Sequence, residues 1–276
     1  MPTISHIKSI TPELSLQQYN EIPVLALNHK LGSALIALQG AQLFSWKPRG
    51  VAQDVLWLSE IEPFTLGNAI RGGVPICYPW FGTAQAPSHG YARISLWQLS
   101  DYAIEEEKVR LEFSLFSADN LIEAKISMQF DSHCELTFVH YGQQPAQVAL
   151  HSYFNIGAIE SVSVAGLPTS CFNSLTQQQE SVPSPRQITQ NVDCIYPVSD
   201  PVTNTIMDPV YQRNIVIEHR YASDVVLWNP WHKPTGGMSA QGYRNMLCLE
   251  TARIHQLMSQ GEHLRVRINA LAARDR

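Results

Sequence analysis

The chain has 276 residues, 45% of them hydrophobic and only 16% charged, which suits one large globular domain over 1–276 and excludes a disordered or fibrous chain. The net charge of -5, a pI near 6.0 and the lack of any Lys/Arg run argue against a nucleic-acid or anionic-membrane partner. Five scattered cysteines without a C-x-x-C pair argue against a disulfide framework and a zinc ribbon.

The N-terminal stretch MPTISHIKSITPELSLQQ has no apolar run after a basic start, and no later segment has 18 uncharged apolar residues. The reading is a soluble protein of a reducing compartment, most simply the cytoplasm. SALIALQGAQLFSW (33–46) reads as two strands broken at Gly40. KVRLEFSLF (108–116) places Val109, Leu111, Phe113 and Leu115 on one face and Lys108, Arg110 and Glu112 on the other, the period-2 signature of a half-buried strand. AKISMQF (124–130), CELTFVHY (134–141), NIVIEHR (214–220), DVVLW (224–228) and LRVRINA (264–270) repeat the pattern. The best helical candidate is short, around Ala252–Gln260 before Gly261. Strands that follow one another without helices predict antiparallel sheets stacked as an all-β sandwich. The polar, proline-bearing stretch from Ser174 to Asp193 reads as a surface excursion within the domain.

Several segments carry chemistry. AIRGGVPICYPWFG (69–82) sets Arg71 beside Gly72 and Gly73 among Tyr78, Trp80 and Phe81. Aromatic faces stack on sugar C–H surface, and a guanidinium grips an oxyanion bidentately. SHGYAR (88–93) adds His89 and Arg93, which an exposed loop would also explain. In VDCIYP (192–197), Asp193 could cap a turn, the default reading, or accept two sugar hydroxyls. Two titratable groups stand in apolar runs. His151 lies inside AQVALHSYFNIG, which reads as a buried strand, and Glu250 lies in NMLCLETA on the face of Met246 and Cys248. A lone histidine of this kind is most often a satisfied core residue. An uncompensated buried carboxylate is costly, however, and two such anomalies suggest an acid/base pair. No G-x-G-x-x-G, Walker A or H-E-x-x-H motif is present, and the acid/base chemistry needs no metal and no cofactor.

Taken in order, IRGGVPICYPWFG, HGYAR, LHSYFNIG, VDCIYP, LWNPW and LCLETA resemble the hexose-6-phosphate mutarotase (glucose-6-phosphate 1-epimerase) branch of the aldose 1-epimerase superfamily. The matches run from about Arg71 to Thr251. The resemblance implies a galactose-mutarotase-type β-sandwich, cofactor-free, with its site on a concave sheet face. It also implies interconversion of the α and β anomers of a hexose 6-phosphate, glucose 6-phosphate first. By motif position the catalytic pair falls on His151 and Glu250, and the substrate-binding residues fall on Arg71, His89, Arg93 and Asp193. Two departures stand out: Ser88 where the family often has Gln, and Cys194 where a basic residue is common, which makes Lys233 a candidate replacement cation. With ordinary side-chain acidities, Glu250 would rest as a carboxylate base, and His151 would be available as the protonated acid near pH 7. The rival readings are an aldose 1-epimerase for unphosphorylated sugar and a catalytically silent sugar binder on the same fold. The expected partner is a small sugar phosphate, neither nucleic acid nor membrane, and the expected assembly is a monomer or weak homo-oligomer.

Overall fold

A computed structural model describes residues 2–272. Its strands form three antiparallel sheets, and the only helices among the described residues are 3-10 turns of three or four residues. None is long and apolar enough to cross a membrane. The alternating segments become strands as their periodicity predicts, among them Lys108–Phe116, Ile122–Phe130, Cys134–His140, Arg213–Arg220, Asp224–Asn229 and His263–Ala272. Gly32–Ala37 and Gln42–Pro48 flank a turn at Gly40, where φ is +76°. They belong to a five-stranded meander over residues 4–48.

The two larger sheets make the sandwich. One has nine strands, with Arg213–Arg220, His263–Ala272 and Cys134–His140 side by side near its centre. The other has eight. Its path runs from Gln178–Ser181 through Ser170–Asn173, Val192–Pro197, Asp224–Asn229, Met246–Met258 and Ala146–Leu150 to Ile76–Cys77, and Tyr153–Asn155 also pairs with Met246–Met258. A continuous apolar cluster fills the space between the sheets, joining Phe113, Ile126, Phe138, Ile217, Val266 and Ile268 to Leu227, Leu247 and Leu249. Alternate residues of the eight-stranded sheet face away from that core. There Ala149, Ile195, Val226 and Ala252 form a smaller apolar patch, with Trp57, Tyr153, Met246 and Cys248 in another.

Three expectations are corrected. Residues 252–258 are not helical but continue the 13-residue strand Met246–Met258, because Ala252, Arg253 and Met258 pair with Ala149, Val148 and Ala146, while the Asp224 carboxylate accepts from Ile254 N and His255 N. The polar excursion contains the strands Gln178–Ser181 and Arg186–Gln187, which close one edge of each large sheet. None of their side chains is buried, so no alternating apolar face announces them. The strand through His151 is broken: Ala146–Leu150 and Tyr153–Asn155 are separate, and Ser152 N donates to Leu150 O at 3.0 Å in the gap.

Candidate active site

The register survives that break. Leu150 pairs with Thr251 on one side and Tyr153 with Cys248 on the other, so His151 stands opposite Glu250 across the two strands. His151 N turns aside to donate to Pro75 O at 3.0 Å. The consequence is direct contact between the two titratable anomalies: His151 Nε2 lies 3.2 Å from Glu250 Oε1. Both side chains are buried, at 10% and 1% exposure. His151 Nδ1 and Glu250 Oε2 have no protein partner.

The Arg71 segment is laid alongside this pair by its own backbone. Gly73 N donates to Trp57 O, Tyr153 N to Gly73 O, and Arg71 N to Glu62 Oε2. Gly72 and Gly73 have φ of +132° and +63°, and a Cβ would meet backbone atoms at 2.4 Å and 2.3 Å respectively. Only glycine permits that approach. Arg71 thus extends over the sheet, where Nη1 donates to Tyr153 Oη and Nε to Gly236 O, both at 2.9 Å. Gly236 belongs to the loop after Asn229. The buried Asn229 side chain fastens that loop through Tyr243 O, Met246 O and Trp231 N.

Arg93 follows in a 3-10 turn and donates from Nη2 to Ser88 O at 2.7 Å. The His89 ring meets those of Phe81 and His151 edge-on, with centroids 4.8 Å and 5.8 Å apart. Asp193 pairs with Trp228, and Trp228 pairs with Cys248, which places Asp193 one row along the sheet from Glu250 on the same face. It sits within the strand Val192–Pro197 rather than in a turn, with Ser174 hydrogen-bonded to its carboxylate.

The electrostatics follow from burial. Burial first, then the Asp193 charge, push the Glu250 carboxyl well above the usual carboxylate range. Burial, then His89, Arg93 and Arg71, hold the His151 imidazole well below its ordinary value. Burial, then Arg93 and Arg71, bring His89 down to about 4. Burial also raises Asp193, against opposing contributions from Ser174 and Lys233. In the free protein both shifts disfavour the charged forms, in the direction opposite to a resting carboxylate and imidazolium.

The aldose 1-epimerase family model matches residues 23–270. The chain belongs to the aldose 1-epimerase family. A Haemophilus influenzae relative described as "Putative glucose-6-phosphate 1-epimerase" is 58% identical over 264 residues, covering 95% of this chain and 97% of that one. An Escherichia coli relative with the same description is 34% identical over 261 residues, covering 89% and 88%. Among solved structures, a Salmonella typhimurium protein described as a "putative mutarotase" superposes with a TM-score of 0.92 at 32% identity, over 98% of this chain and 97% of that one. A Lactobacillus acidophilus galactose 1-epimerase shares the fold alone, with a TM-score of 0.69 at 11% identity.

In this chain all six residues singled out from sequence converge on the outer face of the eight-stranded sheet. The two departures resolve differently. Ser88 holds Arg93 through its carbonyl, which any residue could supply. Cys194 points into the sandwich interior with Cys171 and Tyr196, so the anion-binding role considered for that position does not apply on this backbone. Sequence reasoning missed Tyr153, Trp57 and Trp228. The ring of Tyr153 lies between those of His151 (4.9 Å, 15°) and Trp57 (5.8 Å, 21°), and Trp228 meets Tyr153 and His151 edge-on. Tyr153 could have been found from its i+2 spacing to His151. Trp57 has no local signal.

Proposed function

We propose that this protein interconverts the α and β anomers of a hexose 6-phosphate, with glucose 6-phosphate as the preferred substrate. The observation that carries this reading is the His151–Glu250 contact with two guanidiniums near it. The relatives' printed descriptions support the choice of substrate. Ring opening needs a base at the C1 hydroxyl and an acid at the ring oxygen O5. Glu250 takes the first proton and His151 supplies the second. C1–O5 breaks, the aldehyde rotates about C1–C2, and the reverse transfers close the ring on the other face.

Before opening, the pair is carboxylate and imidazolium; after it, carboxylic acid and imidazole. The cycle alternates between the ion pair and the neutral pair and consumes no proton. Burial favours the neutral state in the free protein, so substrate contacts must lower the ionic state toward it. Hydroxyl donors to Glu250 and an anion beside Arg71 and Arg93 both act in that direction. Asp193 and His89 can accept from or donate to the sugar hydroxyls, and the half-buried Trp228 offers aromatic surface to a C–H face.

Exchange NMR on freshly dissolved α-glucose 6-phosphate tests the activity, and a crystal soaked with that sugar should place its ring between His151 and Glu250. Equal turnover of free glucose would transfer the assignment to a plain aldose epimerase.

A further inference from the structure

One path crosses the whole site. Arg71 Nη1 donates to Tyr153 Oη, the Tyr153 ring lies nearly parallel on His151, and His151 Nε2 meets Glu250 Oε1. Tyr153 is buried, and its backbone is paired with Cys248 beneath it. It therefore holds a guanidinium by its hydroxyl and an imidazole by its ring, at fixed separation. We propose that Tyr153 is a positioning residue that makes the substrate's phosphate part of the catalyst, so that an anion seated at Arg71 raises turnover as well as affinity. This deepens the function proposed above and rests on it.

The groups facing His151 are Glu250 from its partner strand, Tyr153 and Trp228 from the sheet, and His89, Arg93 and Arg71 from the overlying loops. Asp193 faces Glu250, and Lys233 faces Asp193. Arg71 and Arg93 are like charges to an imidazolium and oppose the proton His151 must carry. A dianion beside them cancels that opposition, and the acid becomes available. The Tyr153 hydroxyl matters because it keeps Arg71 close to the imidazole while the anion is bound. Without it the guanidinium and the phosphate can sit together farther from the imidazole, retaining affinity while the net negative charge of that pair no longer favours the proton on His151. This is discrimination realised in the transition state, which raises kcat for the phosphorylated sugar.

The experiment supplies the two parts of the substrate separately. Enzymatic anomerisation of free glucose is followed by exchange NMR against inorganic phosphite, with enzyme-free rates subtracted, in wild type and in Tyr153→Phe. In wild type, saturating phosphite should raise the glucose rate about tenfold, the effect of a one-decade gain in the protonated acid. It should also move the alkaline limb of the pH–rate profile upward. Tyr153→Phe keeps the stacked ring; it should lose this activation and show lower kcat for glucose 6-phosphate, with KM within about twofold of wild type. Phosphite that competes with glucose 6-phosphate yet leaves the glucose rate flat overturns the inference, as does phosphite without effect on either substrate. A Tyr153→Phe variant with wild-type activation, or with raised KM alone, removes Tyr153 from the coupling. Each of these leaves the proposed function standing, which fails separately if wild type does not turn over glucose 6-phosphate.

Discussion

Glu250 and Thr251 are neighbours on one strand, and each meets a histidine on its own side of the sheet. Thr251 points into the sandwich, where its Oγ1 lies 2.7 Å from His219 Nδ1. Glu250 points outward to His151. Both histidines are buried and both are less basic than a free imidazole. Burial alone brings His219 down to about 3, since no charged group contributes there. On the outer face burial is joined by His89, Arg93 and Arg71 around His151 and by Asp193 near Glu250. A buried histidine with a depressed basicity is therefore no mark of catalysis. What distinguishes the outer pair is a titratable partner within reach and charged neighbours.

That contrast breaks hardest on activity. Glu250→Gln and His151→Asn should each lower the enzymatic rate on glucose 6-phosphate by about 10²–10⁴-fold. Neither should lower the melting temperature at pH 7, because each replaces a titratable group by a neutral amide, and burial penalises only the charged forms that are lost. A near-normal rate in either variant, read by polarimetry, would exclude that residue from proton transfer.

The next effect belongs to the anion. Charge-assisted hydrogen bonds contribute about 1.5–3 kcal/mol each. Arg71→Ala and Arg93→Ala should therefore raise KM for glucose 6-phosphate by about 10- to 150-fold, with a far smaller change on free glucose. Equal losses on both sugars in steady-state kinetics would mean that these arginines serve the fold or the sugar ring rather than the phosphate.

The inner pair should respond in the opposite sense. Thr251→Val leaves the buried His219 nitrogen unpaired at a cost of about 1–3 kcal/mol, measurable as a lower urea midpoint. The rate on glucose 6-phosphate should stay within about twofold. A large loss of activity at unchanged stability would show that the two faces are coupled through the strand.

A smaller effect appears with pH. The folded value of His219, about 3, lies below the ordinary 6.5, so in this window the unfolded chain takes up the proton and the folded one does not. The stability contribution is whole above 6.5 and is lost as pH falls toward 3, by about 2 kcal/mol at pH 5. His219→Gln should shrink the difference in unfolding free energy between pH 7 and pH 5, read from urea titrations, by roughly that amount. An unchanged slope would assign the acid sensitivity to other groups, His151 and His89 first.

The sequence by itself determined the half-buried alternating strands and which titratable groups stand out of place. Period-2 patterning marks the half-buried strands because a pleated backbone sends successive side chains to opposite faces, and that rule is local. His151 and Glu250 were legible as titratable groups out of place in apolar runs, and Arg71 as a cation in a glycine turn. Three other features depend on partners distant in the chain. Residues 252–258 became strand rather than helix through pairing with Ala146–Leu150 and hydrogen bonds to the Asp224 carboxylate. The edge strands 178–181 and 186–187 form because their backbones complete a ladder, without an apolar face of their own. Tyr153 acquires its place only when Arg71, 82 residues away, is folded onto it. Tertiary structure also decided which face each residue serves: it turned Cys194 inward, set Asp193 in mid-strand and put His151 opposite Glu250. Register in a sheet is set between strands, and a shift of one residue in the strand Met246–Met258 would have sent Glu250 into the core, away from His151.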